Sequence, residues 1–457
     1  MGVFSFRSSA SAAVIFACSG AAAFSATTAT GADVTFTRDI APILYKHCVV
    51  CHHAGDVAPM SLITYREVKP WASAIREQVL TKKMPPWKAD PHYGVWSNDP
   101  SLSETELAKI VKWTESGKLE GDPAALPAAP VFSDGWRHGK PDLVISIPPF
   151  KLAATGPDEN ISIDVPTNFK EDVWITAAES RPGNRRVVHH SHVFVKDPED
   201  MPKPAGASAK PANPAREYAH WLMLHEGTLS FMRPDAPVID DGCVIDDNGD
   251  LPGSTQNDLG SLLSSYLPGR EPDVYPPGTA RRIPAGAKLN FQLHYSRSGK
   301  DEVDESSVGL WIAKEPPKQI ARRIDLHNHM FLIPAGDGNH LVTECHTFHK
   351  DMYITSLTPH MHFRGKDMRI EATYPDGRKE TLLYVPDYNF FWQITYRAAK
   401  PLYLPKGTRI AVIAHFDNSV NNKLNPDPTK VIRWGSASET EMMDGWIEYV
   451  DTPPAVQ

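Results

Sequence analysis

The chain is poor in cysteine. Five cysteines in 457 residues exclude the dense disulfide framework of a small secreted scaffold. It has no strong excess of charge: 47 basic and 55 acidic side chains leave a formal charge of −8, which gives no support to a nucleic-acid partner. Past the N-terminus there is no run of about 18 apolar residues, so no transmembrane span is expected. Proline, by contrast, is abundant at 41 residues, about one in eleven, which argues against a mainly helical protein. A hydrophobic share of 41% excludes wholesale disorder. Nineteen histidines are the second surplus, and their grouping carries the functional reading.

The first residues read as an address. Arg7 gives a positive start, residues 12–23 are apolar and small, and Ala22-Ala23-Phe24-Ser25-Ala26 follows. This predicts a secretory signal peptide within residues 1–32, cleaved between Ala23 and Ala32. A variant is lipid attachment at Cys18, after Val14-Ile15-Phe16-Ala17. The mature protein is expected to be periplasmic or secreted.

Cys48-Val49-Val50-Cys51-His52 is the C-x-x-C-H pattern of covalent haem c attachment. Two thioethers would hold the porphyrin edge, and the adjacent His52 would reach the iron. The second axial ligand is expected at Met84, in Lys82-Lys83-Met84-Pro85-Pro86-Trp87, with Met60 as the alternative. Helices are expected over 38–47, over 65–82, and from Ser103, where Glu106 completes a capping box, to near Gly117. Residues 33–120 thus resemble a small all-α class I cytochrome c domain.

Residues 121–140 begin with Pro123, Pro127 and Pro130 among alanines and read as a linker. Beyond them, short alternating runs at 143–147, 172–177, 187–195, 289–296, 369–374 and 409–416 are separated by Pro, Gly, Asn and Asp. They predict two all-β sandwich domains, 141–314 and 318–451, divided at Lys314-Glu315-Pro316-Pro317. The stretches 196–214 and 249–260 read as loops.

Two sets of metal-ligating side chains fall in these halves. The first holds His189-His190, His192 nearby, and His294 in Phe291-Gln292-Leu293-His294-Tyr295. The second holds His360-Met361-His362, followed by Phe363-Arg364-Gly365-Lys366, and later Glu441-Met442-Met443. On a strand, His360 and His362 share a face. His189 and His190 would point to opposite faces and could share one metal only at a strand end or bulge. Three imidazoles suit copper or zinc, whereas two imidazoles and a thioether favour copper.

Taken in order, His-His, His-Tyr, His-x-His-x-x-Gly-Lys and Glu-Met resemble the copper type II, ascorbate-dependent monooxygenases, the family of peptidylglycine and dopamine hydroxylases. The resemblance covers about residues 141–450. It implies two β-sandwich, jelly-roll-like domains, each carrying one copper. His189, His190 and His294 resemble the ligands of the electron-storing copper. His360, His362 and Met442 resemble those of the copper that meets O₂ and substrate; Met442 is preferred to Met443 because it follows Glu441. The resemblance implies an exported monooxygenase that hydroxylates a C–H bond of a small organic substrate with O₂. Electrons would come through the haem from a periplasmic donor or from ascorbate.

The sequence also departs from the family. The peptidylglycine branch grips a substrate carboxylate with an arginine and a tyrosine, and those positions here are Thr358 and Trp446, which points away from a peptide carboxylate. Cys243 and Cys345 fall in different predicted domains and are not expected to pair. The alternative function is a haem and copper electron-transfer or copper-binding protein without oxygenase chemistry. In that reading Cys345, His349 and Met352, spaced like a blue-copper loop, would join His327, His329 or His340. A zinc hydrolase in the second half is the remaining rival.

Overall fold

The structure, a computed structural model, describes residues 2, 33–56, 58–132, 135–198, 261–267, 270–328, 331–348, 350–435 and 437–453. The expected leader with Cys18, most of the expected 196–214 loop, the expected 249–260 loop, His220, His225, Cys243, His329 and His349 lie outside the described residues.

The expectation of a small all-α domain followed by two β-sandwich, jelly-roll-like domains is corrected. Among the described residues strand accounts for 39% and helix for 12%; the larger sheets lie in a four-bladed, propeller-like arrangement, and no sizeable all-α cytochrome c domain is evident there. The helix expected over 65–82 is cut at Pro70 into Tyr65–Val68, a 3-10 turn over Lys69–Trp71, and Ala72–Leu80, because proline lacks the N–H that a continuous helix requires. Glu104–Glu115 is the longest helix among the described residues. It starts with Ser103 and Glu106 bonded reciprocally to each other's backbone N–H and stops before Gly117, whose φ of 90° suits a residue without Cβ. These pieces pack around Phe36, Ile40, Leu44, Ile110 and Trp113.

The β region holds four larger antiparallel sheets among the described residues. The first runs Leu143–Ser146, Ser307–Ile312, Val173–Arg181, Thr279–Ile283, and ends in a short parallel pairing with Gln319–Ile320. The second runs Glu159–Pro166, Lys288–Tyr295, Val188–Lys196, Ser261–Tyr266. The third runs Arg322–His327, Met443–Val450, Met352–Met361, Tyr396–Leu404. The fourth runs His340–Thr347, Arg409–Phe416, Gly365–Thr373, Lys379–Val385. Alternating side chains of the first two sheets, among them Ile175, Leu310, Val193 and Phe291, form one core. Those of the third and fourth, among them Ile354, Ile447, Ile370 and Val412, form another. Each large aliphatic side chain buried this way contributes about 1.5–3 kcal/mol.

The N-terminal segment is braced on both halves. Trp87 and Ala89 belong to or pack on the second core. Trp96 bridges to Ala398, at the Tyr396–Leu404 strand, and Asn98 exchanges hydrogen bonds with the backbone of Thr395 and Arg397 at 2.8 and 3.0 Å. No helix among the described residues is long and apolar enough to cross a membrane.

Candidate metal centres

The first histidine set converges. Val188–Lys196 pairs with Lys288–Tyr295, the register shifts between Val188 and His190, and His190 lies opposite His294. The irregularity lifts the restriction that sends neighbouring strand side chains to opposite faces. The ligand atoms of His189, His190 and His294 all lie within 4.8 Å of one another. Nδ1 of His189 and Nδ1 of His190 are 3.3 Å apart. A metal–nitrogen bond of about 2.0–2.1 Å in tetrahedral geometry requires a nitrogen–nitrogen edge of about that length. His294 Nδ1 is buried and has no hydrogen-bond partner, while its Nε2 faces Asp158 Oδ2 at 3.4 Å. A carboxylate on one nitrogen and a free lone pair on the other is the usual setting of a metal-bound imidazole. Burial holds His190 well below the usual histidine range, with the neighbouring histidines acting in the same direction, so the ring is in the neutral form a metal needs. His192 stands apart from this cluster: its Nδ1 is hydrogen-bonded to Ser265 Oγ at 2.8 Å, and its ring is 5.3 Å from that of His190.

The second set is built at the end of Met352–Met361. His360 and His362 are both buried, with ring centroids 5.2 Å apart and planes nearly perpendicular. His360 Nδ1–H donates to Gln393 Oε1 at 2.6 Å, and His362 Nδ1–H to the Thr440 carbonyl at 3.2 Å. Both rings are thereby set to offer Nε2, the reverse of the first set. Burial pushes His360 down to about 3 and His362 to about 4. The Tyr388 hydroxyl accepts the Met361 N–H at 2.9 Å and donates to its carbonyl at 2.7 Å, fixing the residue between the two histidines.

The structure separates the two methionines. Met443 is fully buried in the second core, whereas Met442 is only partly buried and precedes the Met443–Val450 strand. Glu441, used in the sequence only to choose between them, holds the loop together. Its Oε2 accepts the His362 N–H at 2.8 Å, its Oε1 accepts the Arg364 N–H at 2.6 Å, and the Met442 N–H also donates to it. Complete burial pushes Glu441 up to about 8 against these donors and the Arg364 charge. The sequence signal for this role was a carboxylate inside the Met-rich segment. Gln393 and Asp158 gave no signal, because neither is near its histidine in sequence.

Phe390 meets both sets: its ring centroid is 6.4 Å from that of His189 and 6.0 Å from that of His362. Trp446 stacks on His360 at 5.0 Å, and the Arg323 guanidinium lies over the same indole at 4.5 Å.

At the N-terminus, Cys48 and Cys51 are free thiols on a helical turn in which the Cys48 carbonyl accepts the His52 N–H at 2.9 Å. Burial pushes the Cys48 thiol up to about 12 and raises that of Cys51, the opposite of a redox-active cysteine pair. His52 Nδ1–H donates to the Met60 carbonyl at 3.3 Å, leaving Nε2 for an iron. Met60 also packs on the N-terminal core. Met84 is partly buried at the bend after Ala72–Leu80.

The blue-copper alternative loses its thiolate. Cys345 is disulfide-bonded and so offers no thiolate. Met352 is buried in the second core. His340 and His415 are held by Asp337 and Asp367 at 3.1 and 2.9 Å. No protein-family model matches the chain, and no curated protein matches it.

Proposed function

We propose that the chain is an exported copper-dependent monooxygenase that hydroxylates a C–H bond of a small organic substrate, with electrons entering through haem c. His189, His190 and His294 would hold one copper; His360, His362 and Met442 would hold the other; Cys48, Cys51 and His52 would hold the haem, with Met84 as its second axial ligand. When bound, copper supplies the one-electron redox and O₂ chemistry that hydroxylation requires, and haem c a one-electron entry point.

The chain's residues prepare these sites. Asp158 turns His294 so that Nδ1 is free; Gln393 and the Thr440 carbonyl turn His360 and His362 so that Nε2 is free. Glu441 ties the His362 backbone to the segment carrying Met442. Trp446 is covered by His360 and the Arg323 guanidinium, and Thr358, hydrogen-bonded to Thr395 at 2.9 Å, offers no cation for a substrate carboxylate.

The observation that carries this reading is the orphaned, buried Nδ1 of His294 beside two Nδ1 atoms 3.3 Å apart. The Met442 thioether, as a ligand of the other set, would favour copper over zinc. The test is substrate-dependent O₂ uptake by haem-matured, copper-loaded protein. Met442→Ile is expected to lower turnover at least 100-fold while the first centre keeps its copper. Wild-type turnover by that variant, with both coppers present, would overturn the assignment of the second centre.

A further inference from the structure

The loop that carries Cys51 is clamped against the β region. Asp56, five residues after Cys51, receives Arg137 on both carboxylate oxygens, from Nη2 at 2.5 Å and Nε at 3.2 Å. It also lies 3.5 Å from Arg185 Nη1. Arg137 Nη2 reaches Cys51 Sγ at 3.9 Å, and its Nη1 donates to the Arg270 carbonyl at 3.0 Å. The Arg137 backbone N–H is held by the Glu179 carboxylate at 2.9 Å. Arg137, Arg185, Ser265, Tyr266 and Arg270 line one small cleft. From its wall Ser265 is hydrogen-bonded to His192, whose ring lies 5.3 Å from that of His190. Contacts thus run from Cys51 Sγ to Arg137 in the cleft, and from Ser265 in the same cleft to the ring of His190.

We propose that this path, Cys51–Arg137 across the cleft to Ser265–His192–His190, is the electron route from haem to the first copper, and that His192 is its relay rather than a ligand. The proposal rests on the function given above. With both groups bound, the step would transfer one electron, from ferrous haem to cupric copper, leaving ferric haem and cuprous copper. No bond forms or breaks. The His192 ring supplies close contact, and its fixed bond to Ser265 limits its motion.

A second connection competes with this one. Trp87, three residues past Met84, packs edge-on against Tyr396 at 4.8 Å, on the strand that follows Gln393, the partner of His360. It would deliver electrons to the second centre instead.

The test uses full-length protein matured with haem and loaded with copper, without O₂. A flash-generated one-electron reductant reduces the haem, and its reoxidation is followed in the visible spectrum alongside loss of the cupric EPR signal. His192→Phe and Asp56→Asn are each expected to slow haem reoxidation at least tenfold. The haem potential, the copper content and the rate of haem reduction by the external donor should be unchanged, which a merely structural defect would not leave intact. Wild-type reoxidation rates in both variants would overturn the route, and a slowing by Tyr396→Leu alone would assign it to the second connection. Wild-type protein that lacks haem or copper, or passes no electron between them, would overturn the proposed function and the route with it.

Discussion

At the scale of single residues, the two histidine sets differ in which nitrogen they present, and the cause is the group on the other nitrogen. Replacing Gln393 by Leu removes the acceptor that fixes His360 while keeping most of the side-chain volume. Losses of such outer partners typically cost about 10–100-fold in metal affinity. Gln393→Leu is therefore expected to weaken copper at the second centre by about that factor, measured by competition with a chelator, and to leave the first centre unchanged. The metal-free protein should also lose stability in mild acid. His192 and His360 titrate near 3 and His362 near 4 in the folded chain, against 6.5 for histidine in an unfolded chain. Between about pH 6.5 and 4 the unfolded chain binds protons that the folded chain refuses, so stability falls as pH falls, by up to about 1.4 kcal/mol per pH unit for each such histidine. Thermal denaturation of the metal-free protein from pH 7 to 4.5 checks this, and a flat Tm would contradict it. The histidines themselves were legible in the sequence because they cluster. Their orienting partners were not, because Gln393 lies 33 residues from His360 and Asp158 sits on another part of its sheet's chain.

At the scale of elements, local chemistry read best where it is self-contained. The Ser103–Glu106 capping box forms as its spacing predicts, and the expected run 409–416 is the strand Arg409–Phe416. The 65–82 helix forms as three abutting pieces from Tyr65 to Leu80, with a 3-10 turn at Pro70, which lacks the N–H of an α-helical bond. The bulge at Val188/His190 was foreseen only as a condition for His189 and His190 to meet. Gly365 shows how an element fixes a site. A Cβ there would lie 2.6 Å from Met361 Cβ and 2.8 Å from Tyr388 Cδ1, in the tight turn after His360-Met361-His362. Gly365→Ala is expected to displace that turn, cost about 1–3 kcal/mol as other overpacked sites do, and halve copper stoichiometry by emptying the second centre alone. Urea denaturation and metal analysis would show both effects; full copper content with wild-type stability would contradict them.

At the scale of the molecule, alternation identified the β-rich region, but how sheets assemble depends on contacts between segments far apart in sequence. Strand Val173–Arg181 pairs with Ser307–Ile312, and Met352–Met361 with Met443–Val450. Periodicity within each run cannot specify such partners, which is why the sandwich expectation fell. The same distance hid the contacts of the N-terminal segment with both halves, which place the Cys51 loop against Arg137 and Trp87 against Tyr396. The proposed function requires one haem and two coppers in one chain. Its most direct test is metal counting, with EPR and visible spectra, on oxidised full-length protein matured with haem and loaded with copper. One haem c and two type II coppers, pale and without an intense blue band, are expected. Zinc in place of copper, a single copper, a blue copper, or no haem would contradict it.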